Sequence, residues 1–202
     1  MHRRGEIAMS SILLPILEMH FCTYVIIGAK GNIETQVATA LAPFDESLEV
    51  ARYKVYLEEA EIKRMAGHYG LEMSDSPALI EKMPDWRGTQ GGLDEIGLFS
   101  WATANPEGRW DWYEIGGRWS GPFGGRNVVK AKTLFDMPDL KNHFPHCIVA
   151  PAGQWHEVET LIHGGFCTFG SVRKSDGQWL IEVKQVLARF PDHRVVCVDI
   201  HR

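Results

Sequence analysis

The sequence predicts a single α+β domain, in which a mixed β-sheet is covered by helices on one side. Strand and helix patterns alternate at both ends of the chain, and hairpin patterns lie between them. The 202 residues are 45% hydrophobic and 23% charged, a composition typical of a globular domain with a sizeable core. We therefore expect one domain over residues 19–202, preceded by an N-terminal extension over residues 1–18.

The N-terminal extension begins with basic residues followed by an apolar run. Pro15 interrupts this run, Glu18 closes it, and no small-residue cleavage site typical of a secretory signal follows. The run is also too short to span a bilayer. We expect a short amphipathic helix or a dispensable extension, because Met19 directly precedes the first convincing strand.

The first half of the domain is predicted to begin with a strand and a helix. The run His20–Ala29 is β-branched and aromatic, which is typical of a buried strand. Asn32 is an N-cap candidate for a helix that Pro43 stops. Residues 48–69 predict a short extended piece and then a charged helix, whereas residues 72–97 are rich in Pro, Gly, Asp and Ser. We expect residues 72–97 to be a loop that acts as a mobile flap.

The second half is predicted to contain a hairpin, a helix and a final strand. Residues 146–158 combine an apolar run, a Pro-Ala-Gly turn and a second strand. Residues 127–135 fit either another strand or the start of a helix. One helix face then carries Trp179, Ile181 or Val183, Val186, Leu187 and Phe190. The run Val195–Ile200 is the final strand.

Net charge and cysteine usage exclude several classes of protein. The formal net charge is −5. An acidic chain lacks the excess of Lys and Arg that general nucleic-acid binding requires, although a local basic pocket stays open. The four cysteines are scattered, without a CxxC pair, and are Cys22, Cys147, Cys167 and Cys197. We interpret them as reduced thiols, mostly buried in strands of a cytoplasmic protein that has no membrane segment.

An aromatic strand is predicted around Trp110–Ile115. Gly116 and Gly117 signal a turn, after which the chain reverses into Arg118 and Trp119. Period-two alternation puts Trp110, Trp112 and Glu114 on one face, and Asp111, Tyr113 and Ile115 on the other. Both faces are therefore mixed, whereas a purely structural strand usually separates apolar from polar side chains.

This mixture favours a ligand site. Indole rings stack on flat rings, and the guanidinium group of arginine forms paired hydrogen bonds with phosphate or carboxylate groups. The two glycines allow either a close approach of the backbone to a ligand or a turn at positive φ. The candidate ligand-binding residues are Arg109, Trp110, Asp111, Trp112, Tyr113, Glu114, Gly116, Gly117, Arg118 and Trp119. The alternative is that the tryptophans only fill the core while Asp111 and Arg118 form a structural ion pair.

The central segment also carries a family resemblance. The stretch NPEGRWDWYEIGGRWSG resembles a family of short bacteriophage and prophage proteins with an NPxxxWDWYxIGGRW signature. Three shorter stretches share the resemblance: APFDE at residues 42–46, GQWHE at residues 153–157 and VDIH near the end. The similarity spans most of the chain from Met19 onward. It implies an accessory gene, for which countering a host defence is a common role, and it brings no established activity. The chain departs from the family at residues 162–170, where IHGGFCTFG replaces a Met-Gly-Trp-like stretch.

A second group of candidate residues is polar and titratable. His156 and Glu157 lie in one predicted strand, and Asp199 and His201 lie on one face of the terminal strand. His156 would join the latter pair if the two strands were neighbours in the sheet. Such a group would act as an acid–base site or hold a metal ion. A hydrogen-bonded structural role is the alternative.

Other motifs are weak. The stretch His143–Cys147 and the terminal CVDIH have Cys and His near one another, but neither has paired zinc-ligand spacing. The glycine-rich stretches lack the ending of a P-loop, and no GxSxG elbow is present. The sequence therefore assigns no metal and leaves any cofactor unknown.

The leading hypothesis is a phage or prophage accessory protein in the host cytoplasm that binds a small nucleotide-like or anionic molecule, such as a host immune signal. The first alternative is a hydrolase or phosphoesterase, with or without a divalent metal, that uses the polar group. The second alternative is a protein that inhibits a host protein by surface contact. A homo-oligomer is compatible with each hypothesis.

Overall fold

A mixed sheet organises the fold. The computed structural model describes residues 20–137, 144–164 and 167–202, so the predicted N-terminal extension lies outside the described residues. Six strands form the main sheet, in the order β5-β11-β1-β7-β8, and β6 also pairs with β11. Their bounds are His20–Ile27 (β1), Trp112–Ile115 (β5), Val128–Lys130 (β6), Cys147–Ala150 (β7), Gln154–Glu157 (β8) and Arg194–His201 (β11). Only β1 and β7 pair in parallel, and the other pairs in this sheet are antiparallel. The predicted α+β class with a mixed, helix-covered sheet is confirmed.

Helices cover both faces of this sheet. On one face, Tyr24 and Ile26 of β1 belong to a core cluster with residues of α4 (Ala131–Phe135) and α5 (Asp176–Arg189). On the other face, Val25 and Ile27 pack in a second cluster with residues of α1 (Ile33–Leu41). The prediction of helices on one side is wrong, because the central strands are apolar on both faces and each face needs a cover.

The helix signals of the sequence locate α1 correctly. The Asn32 side chain accepts a hydrogen bond from the Thr35 amide at 2.7 Å, as an N-cap residue does. Val37 and Leu41 are fully buried. The helix continues into a single 3₁₀ turn, Ala42–Phe44, that contains Pro43.

Helix α5 resolves an open alternative. Its N-terminus is a capping box between Ser175 and Gln178. Its buried residues are Trp179, Val183, Val186 and Leu187. Val183 therefore belongs to the core face, and Ile181 lies outside it with 59% of its surface exposed.

The segment between α1 and β5 forms a smaller unit with its own core. Strands β2 (Tyr53–Tyr56), β3 (Gly91–Leu93) and β4 (Leu98–Ala102) make an antiparallel sheet in the order β2-β4-β3. Helices α2 (Glu59–Tyr69) and α3 (Ser76–Arg87) cover it.

The predicted loop over residues 72–97 is wrong, because α3 and β3 lie within it. The Asp75 side chain accepts a hydrogen bond from the Ala78 amide at 3.2 Å and so caps α3. Leu79 and Met83, four residues apart, are fully buried on one helix face. The Asp-Ser-Pro run is a helix start, since Pro is tolerated in the first helical turn.

In the second half, the predictions for residues 127–135 and 146–158 agree with the structure, and the hairpin after them was not predicted. The hairpin of β7 and β8 is confirmed. Residues 127–135 contain both alternatives, since β6 leads directly into α4. A second antiparallel hairpin joins β9 (Glu159–Gly164) and β10 (Cys167–Arg173). None of the described helices is both long enough and apolar enough to cross a membrane.

Candidate functional site

The aromatic segment forms the edge of the main sheet. Strand β5 begins at Trp112 and pairs with β11, so that Trp112 faces His201 and Glu114 faces Asp199 in the register. The chain bends at Asp111, and Trp110 instead makes an isolated bridge with Asp45. The predicted strand is therefore two residues too long at its N-terminal end.

The bend changes the role of Trp110. Its indole Nε1 donates a hydrogen bond to the Leu41 carbonyl at 2.9 Å. Its ring packs edge-on against Tyr113, with 5.0 Å between the ring centroids. The prediction that Trp110 shares a face with Trp112 is wrong, because the bend breaks the alternation. Trp110 is a core residue next to α1.

Two other tryptophans of the segment stay accessible. Trp112 is 45% exposed and Trp119 is 42% exposed. Tyr113 and Ile115 pack against the α1-side core instead. The segment therefore combines the two roles that the sequence left open, since part of it is core filling and part is surface.

The two arginines also differ. The Arg109 guanidinium donates to the carbonyls of Gly108 at 2.9 Å and Pro106 at 3.5 Å, so loop backbone occupies it. Arg118 is exposed, and its guanidinium forms no ion pair with another described residue. The alternative ion pair between Asp111 and Arg118 does not form.

The Gly-Gly turn closes over an aspartate. Gly116 and Gly117 have φ values of 80° and 49°, in the left-handed region. They lead into a 3₁₀ turn, Gly117–Trp119. Within that turn, the Arg118 amide donates to Oδ2 of Asp199 at 3.0 Å. The two glycines therefore allow a turn whose backbone amide binds the Asp199 carboxylate.

Asp199 also holds a histidine. It lies on β11 with 1% of its surface exposed. Its Oδ1 is 3.0 Å from Nδ1 of His20, the first residue of β1. Because an ionised carboxylate only accepts hydrogen bonds, this contact needs a proton on Nδ1 of His20, which leaves Nε2 as the ring nitrogen without a described partner.

A second histidine–carboxylate pair lies beside the first. Nδ1 of His201 is 2.7 Å from Oδ1 of Asp111. The rings of His20 and His201 are 5.2 Å apart, at an interplanar angle of 61°. The Trp112 ring approaches His20 at 5.9 Å. Nε2 of His201 is buried and has no hydrogen-bond partner among the described residues.

The prediction that His156 joins Asp199 and His201 is wrong. Strands β1 and β7 separate β8 from β11, which places His156 at the opposite edge of the sheet. Nδ1 of His156 instead contacts Oε1 of Glu182 on α5 at 2.9 Å, and Lys174 contacts Oε2 at 2.7 Å. Burial raises the pKa of Glu182, but the hydrogen bonds from Lys174 and His156 outweigh it and lower the pKa.

Glu157 has a local partner too. Its Oε2 accepts a hydrogen bond from Nε1 of Trp155 at 3.2 Å. The predicted polar group is thus divided: Asp199 and His201 lie together, while His156 and Glu157 belong to another edge. His20, which sequence reasoning missed, completes the cluster because β1 and β11 pair antiparallel.

Two cavities meet at His20. The larger, about 390 Å³, lies on the α5 side of the sheet. Its aromatic and imidazole side chains are His20, Phe21, Tyr24, Trp119, Phe144, His146 and Trp179. Its exposed charged groups are Arg173 and Asp176. The smaller, about 300 Å³, is bordered by His20, Asp111, Trp112 and His201.

His146 gives the larger cavity an uncharged wall. Its ring lies 4.4 Å from the ring of Phe21. Burial lowers the pKa of His146, and the carboxylates of Glu159 and Glu157 oppose this effect only in part. The imidazole is therefore mainly neutral at pH 7.

Three of the predicted thiols, Cys22, Cys147 and Cys197, are free and lie in strands, and the side chain of Cys167 lies outside the described part of the chain. Cys147 and Cys197 are buried, and Cys22 is half-buried. The Sγ atoms of Cys22 and Cys197 are 3.9 Å apart. Their hydrogen bond and burial raise the pKa of Cys22, so this thiol is a poor nucleophile. Among the described residues, no three His, Cys, Asp or Glu side chains converge to hold a metal ion, and His143 lies outside those residues.

The fold and the site define an α+β protein with two histidine–carboxylate pairs beside an aromatic cavity. No protein-family model matches the chain, and neither a curated protein nor a solved structure does.

Proposed function

We propose that this protein binds a small nucleotide-like or otherwise anionic ligand in the cavity between β1, the Gly117–Trp119 turn and α5. The observation that carries the proposal is the half-exposed Trp119 ring in the wall of a cavity of about 390 Å³. That volume is within the range of small-molecule sites, which are lined mainly by apolar and aromatic groups with a few polar ones.

One cation at the rim of the cavity is available to an anion. Arg173 borders the cavity with 58% of its side chain exposed, and its Nη1 lies 3.5 Å from Oε2 of Glu159. Exposed ion pairs of this kind are weak, so a phosphate or carboxylate can replace Glu159 as the partner. His20 and the uncharged His146 add ring nitrogens as hydrogen-bonding groups, and Asp176 is the one carboxylate among the described residues that line the cavity. The exposed Arg118 precedes Trp119 in the same 3₁₀ turn and is a second cation of this segment.

The cellular setting is part of the proposal. The resemblance to bacteriophage proteins makes a nucleotide-like host immune signal the first ligand to test. A cytoplasmic location is supported by the free thiols of Cys22, Cys147 and Cys197, because reducing compartments maintain that state.

Thermal stabilisation by ligands tests the proposal. The protein is heated with a panel of mononucleotides, linear dinucleotides and cyclic dinucleotides. A bound ligand at about a hundred times its dissociation constant stabilises the folded state by about 2.7 kcal/mol. If no nucleotide in the panel raises the melting temperature, the proposal fails. Inhibition of a host protein by surface contact then becomes the better hypothesis.

Two tryptophan variants localise the ligand. Stacking on one aromatic ring contributes about 1–3 kcal/mol, so Trp119→Ala is expected to weaken binding at least fivefold. Trp112→Ala is the matched comparison, since Trp112 is equally exposed but borders the smaller cavity. A larger loss of affinity in Trp112→Ala than in Trp119→Ala would place the ligand elsewhere and contradict the assignment.

A further inference from the structure

We propose that His20, held by Asp199, is the general base for hydrolysis of a phosphodiester bond in the bound ligand. This inference rests on the proposed binding function and deepens it. It differs from the acid–base group expected from sequence, because His20 takes the place of His156 and Glu157.

The burial of Asp199 is the first argument. Both of its oxygens are used, one by His20 Nδ1 at 3.0 Å and the other by the Arg118 amide at 3.0 Å. A buried carboxylate requires such partners, since it has lost its hydration. Here the partners also orient the carboxylate, so that it fixes the tautomer and the plane of the His20 ring.

The position of His20 is the second argument. Its side chain is only 12% exposed, yet it borders both cavities. Its Nε2 has no hydrogen-bond partner among the described residues. This nitrogen is also not fully buried, unlike Nε2 of His201. A ring nitrogen without a partner, in a side chain that borders a ligand cavity, is placed to accept a proton from a bound water.

The neighbouring pair supports this arrangement. The His201 ring packs edge-on against His20, and Asp111 holds it there through Nδ1. Nε2 of His201 is buried, so His201 is a positioning residue and not a second base.

The reaction requires only water. His20 Nε2 takes a proton from a water molecule as the water oxygen bonds to phosphorus. The bond between phosphorus and one ester oxygen breaks, and the departing oxygen receives the proton from the imidazolium or from solvent in exchange with it. One diester and one water give one monoester and one alcohol. Arg173 borders the same cavity and is placed to neutralise charge on the phosphoryl oxygens.

The experiment uses the full chain with two probes, bis(4-nitrophenyl) phosphate and the cyclic dinucleotide panel. Release of 4-nitrophenolate and recovery of linear nucleotides report turnover, and thermal stabilisation reports binding. His20→Gln is expected to lose at least a hundredfold in kcat while it still binds. His156→Gln is the matched control, because His156 also pairs with a carboxylate on this sheet but lies at the other edge. Equal losses in both variants would overturn the assignment.

Asp199→Asn tests the positioning role. An amide no longer holds the His20 ring through a charged acceptor, so Asp199→Asn should lower kcat at least tenfold while KM and thermal stabilisation by the ligand stay unchanged. A rise in KM that accounts for the whole loss of kcat/KM would contradict a role through His20. Circular dichroism checks that each variant folds. If His20→Gln does not fold, the wild-type profile decides: a kcat independent of pH between about 5 and 8 rejects a histidine base.

The two proposals fail in different ways. Tight capture of a nucleotide that is recovered intact, without release of 4-nitrophenolate, overturns the hydrolysis and leaves the binding function standing. The absence of both stabilisation and turnover overturns the two together.

Discussion

Gly117 lies against Asp199 so closely that a β-carbon at position 117 would come within 2.5 Å of the Asp199 Cβ atom. Gly117 has φ near 49°, and the amide of the next residue, Arg118, donates a hydrogen bond to the Asp199 carboxylate. The Gly-Gly signature of the aromatic segment therefore has a steric reason, and it links the turn directly to the His20–Asp199 pair.

Gly117→Ala should destabilise the protein more than an ordinary substitution at positive φ. Gly124 is the matched control, because its φ is 66° and a β-carbon there would meet no atom within 4 Å. Backbone strain alone is about 1–2 kcal/mol, so we expect about that loss for Gly124→Ala and a clearly larger one for Gly117→Ala. Urea unfolding measures both. Equal losses would mean that the contact with Asp199 is easily relieved.

Trp110 and Trp119 should separate stability from binding. Trp110 is 9% exposed and hydrogen-bonded, so Trp110→Ala is expected to cost about 3–5 kcal/mol of unfolding free energy. Trp119→Ala should cost less than about 1 kcal/mol, since its ring is half-exposed. Chemical denaturation followed by circular dichroism gives both values. A large loss in the Trp119 variant would show that this ring is a core element and would remove it from the binding site.

Stability should fall below neutral pH partly because of His146. Burial lowers the pKa of His146 in the folded state, so between the folded and unfolded values the unfolded chain binds more protons. Its contribution is complete above about pH 6.5, the unfolded value, and is lost as the pH falls toward the folded value. His146→Gln should therefore lose less stability than the wild type between pH 7.5 and 5.5. An identical loss in the two proteins would contradict the burial effect.

The smaller unit depends on a buried ion pair. Oε2 of Glu61, a residue 3% exposed, is 2.5 Å from Nη2 of Arg87, and Trp86 Nε1 donates to Oε1 at 3.3 Å. Arg87→Met should cost about 3–5 kcal/mol, because the Glu61 carboxylate is left buried without its cation. The double variant with Glu61→Leu should recover most of that loss.

A surface pair on the same helix is the control. Lys82 and Glu81 approach at 3.7 Å, and the Glu81 side chain is 78% exposed. Lys82→Met should change the unfolding free energy by less than about 0.5 kcal/mol, since water screens exposed pairs. Differential scanning calorimetry or urea unfolding compares the two. Similar losses for Arg87→Met and Lys82→Met would show that burial of Glu61 adds nothing.

Local signals predicted the elements that depend on neighbours in the chain. Spacing and residue type predict the Asn32 cap, the hairpin at residues 146–158 and the core face of α5 apart from the choice between Ile181 and Val183. The loop prediction for residues 72–97 is wrong because Pro and Asp are common both in loops and at helix starts. The burial of Leu79 and Met83 distinguishes a helix from a loop here, and that burial depends on packing against a sheet that is distant in the chain.

The site could be predicted only in part. Asp199 and His201 share a strand, so alternation brings them to one face. His20 is separated from Asp199 by 179 positions in the chain, and no local pattern reports that β1 and β11 pair. No local pattern indicates the bend at Asp111 either, because Trp110 is held by residues distant in the chain, through a bridge to Asp45 and a hydrogen bond to the Leu41 carbonyl.

The sequence by itself determined the fold class, most helices and strands, and the aromatic segment as the place where polar and apolar groups mix. Tertiary structure alone decided which tryptophans are core, which face His201 turns to and which histidine Asp199 holds. The physical reason is range: caps, turns and alternation act over a few residues, whereas strand register joins the two ends of the chain and depends on packing across the whole sheet.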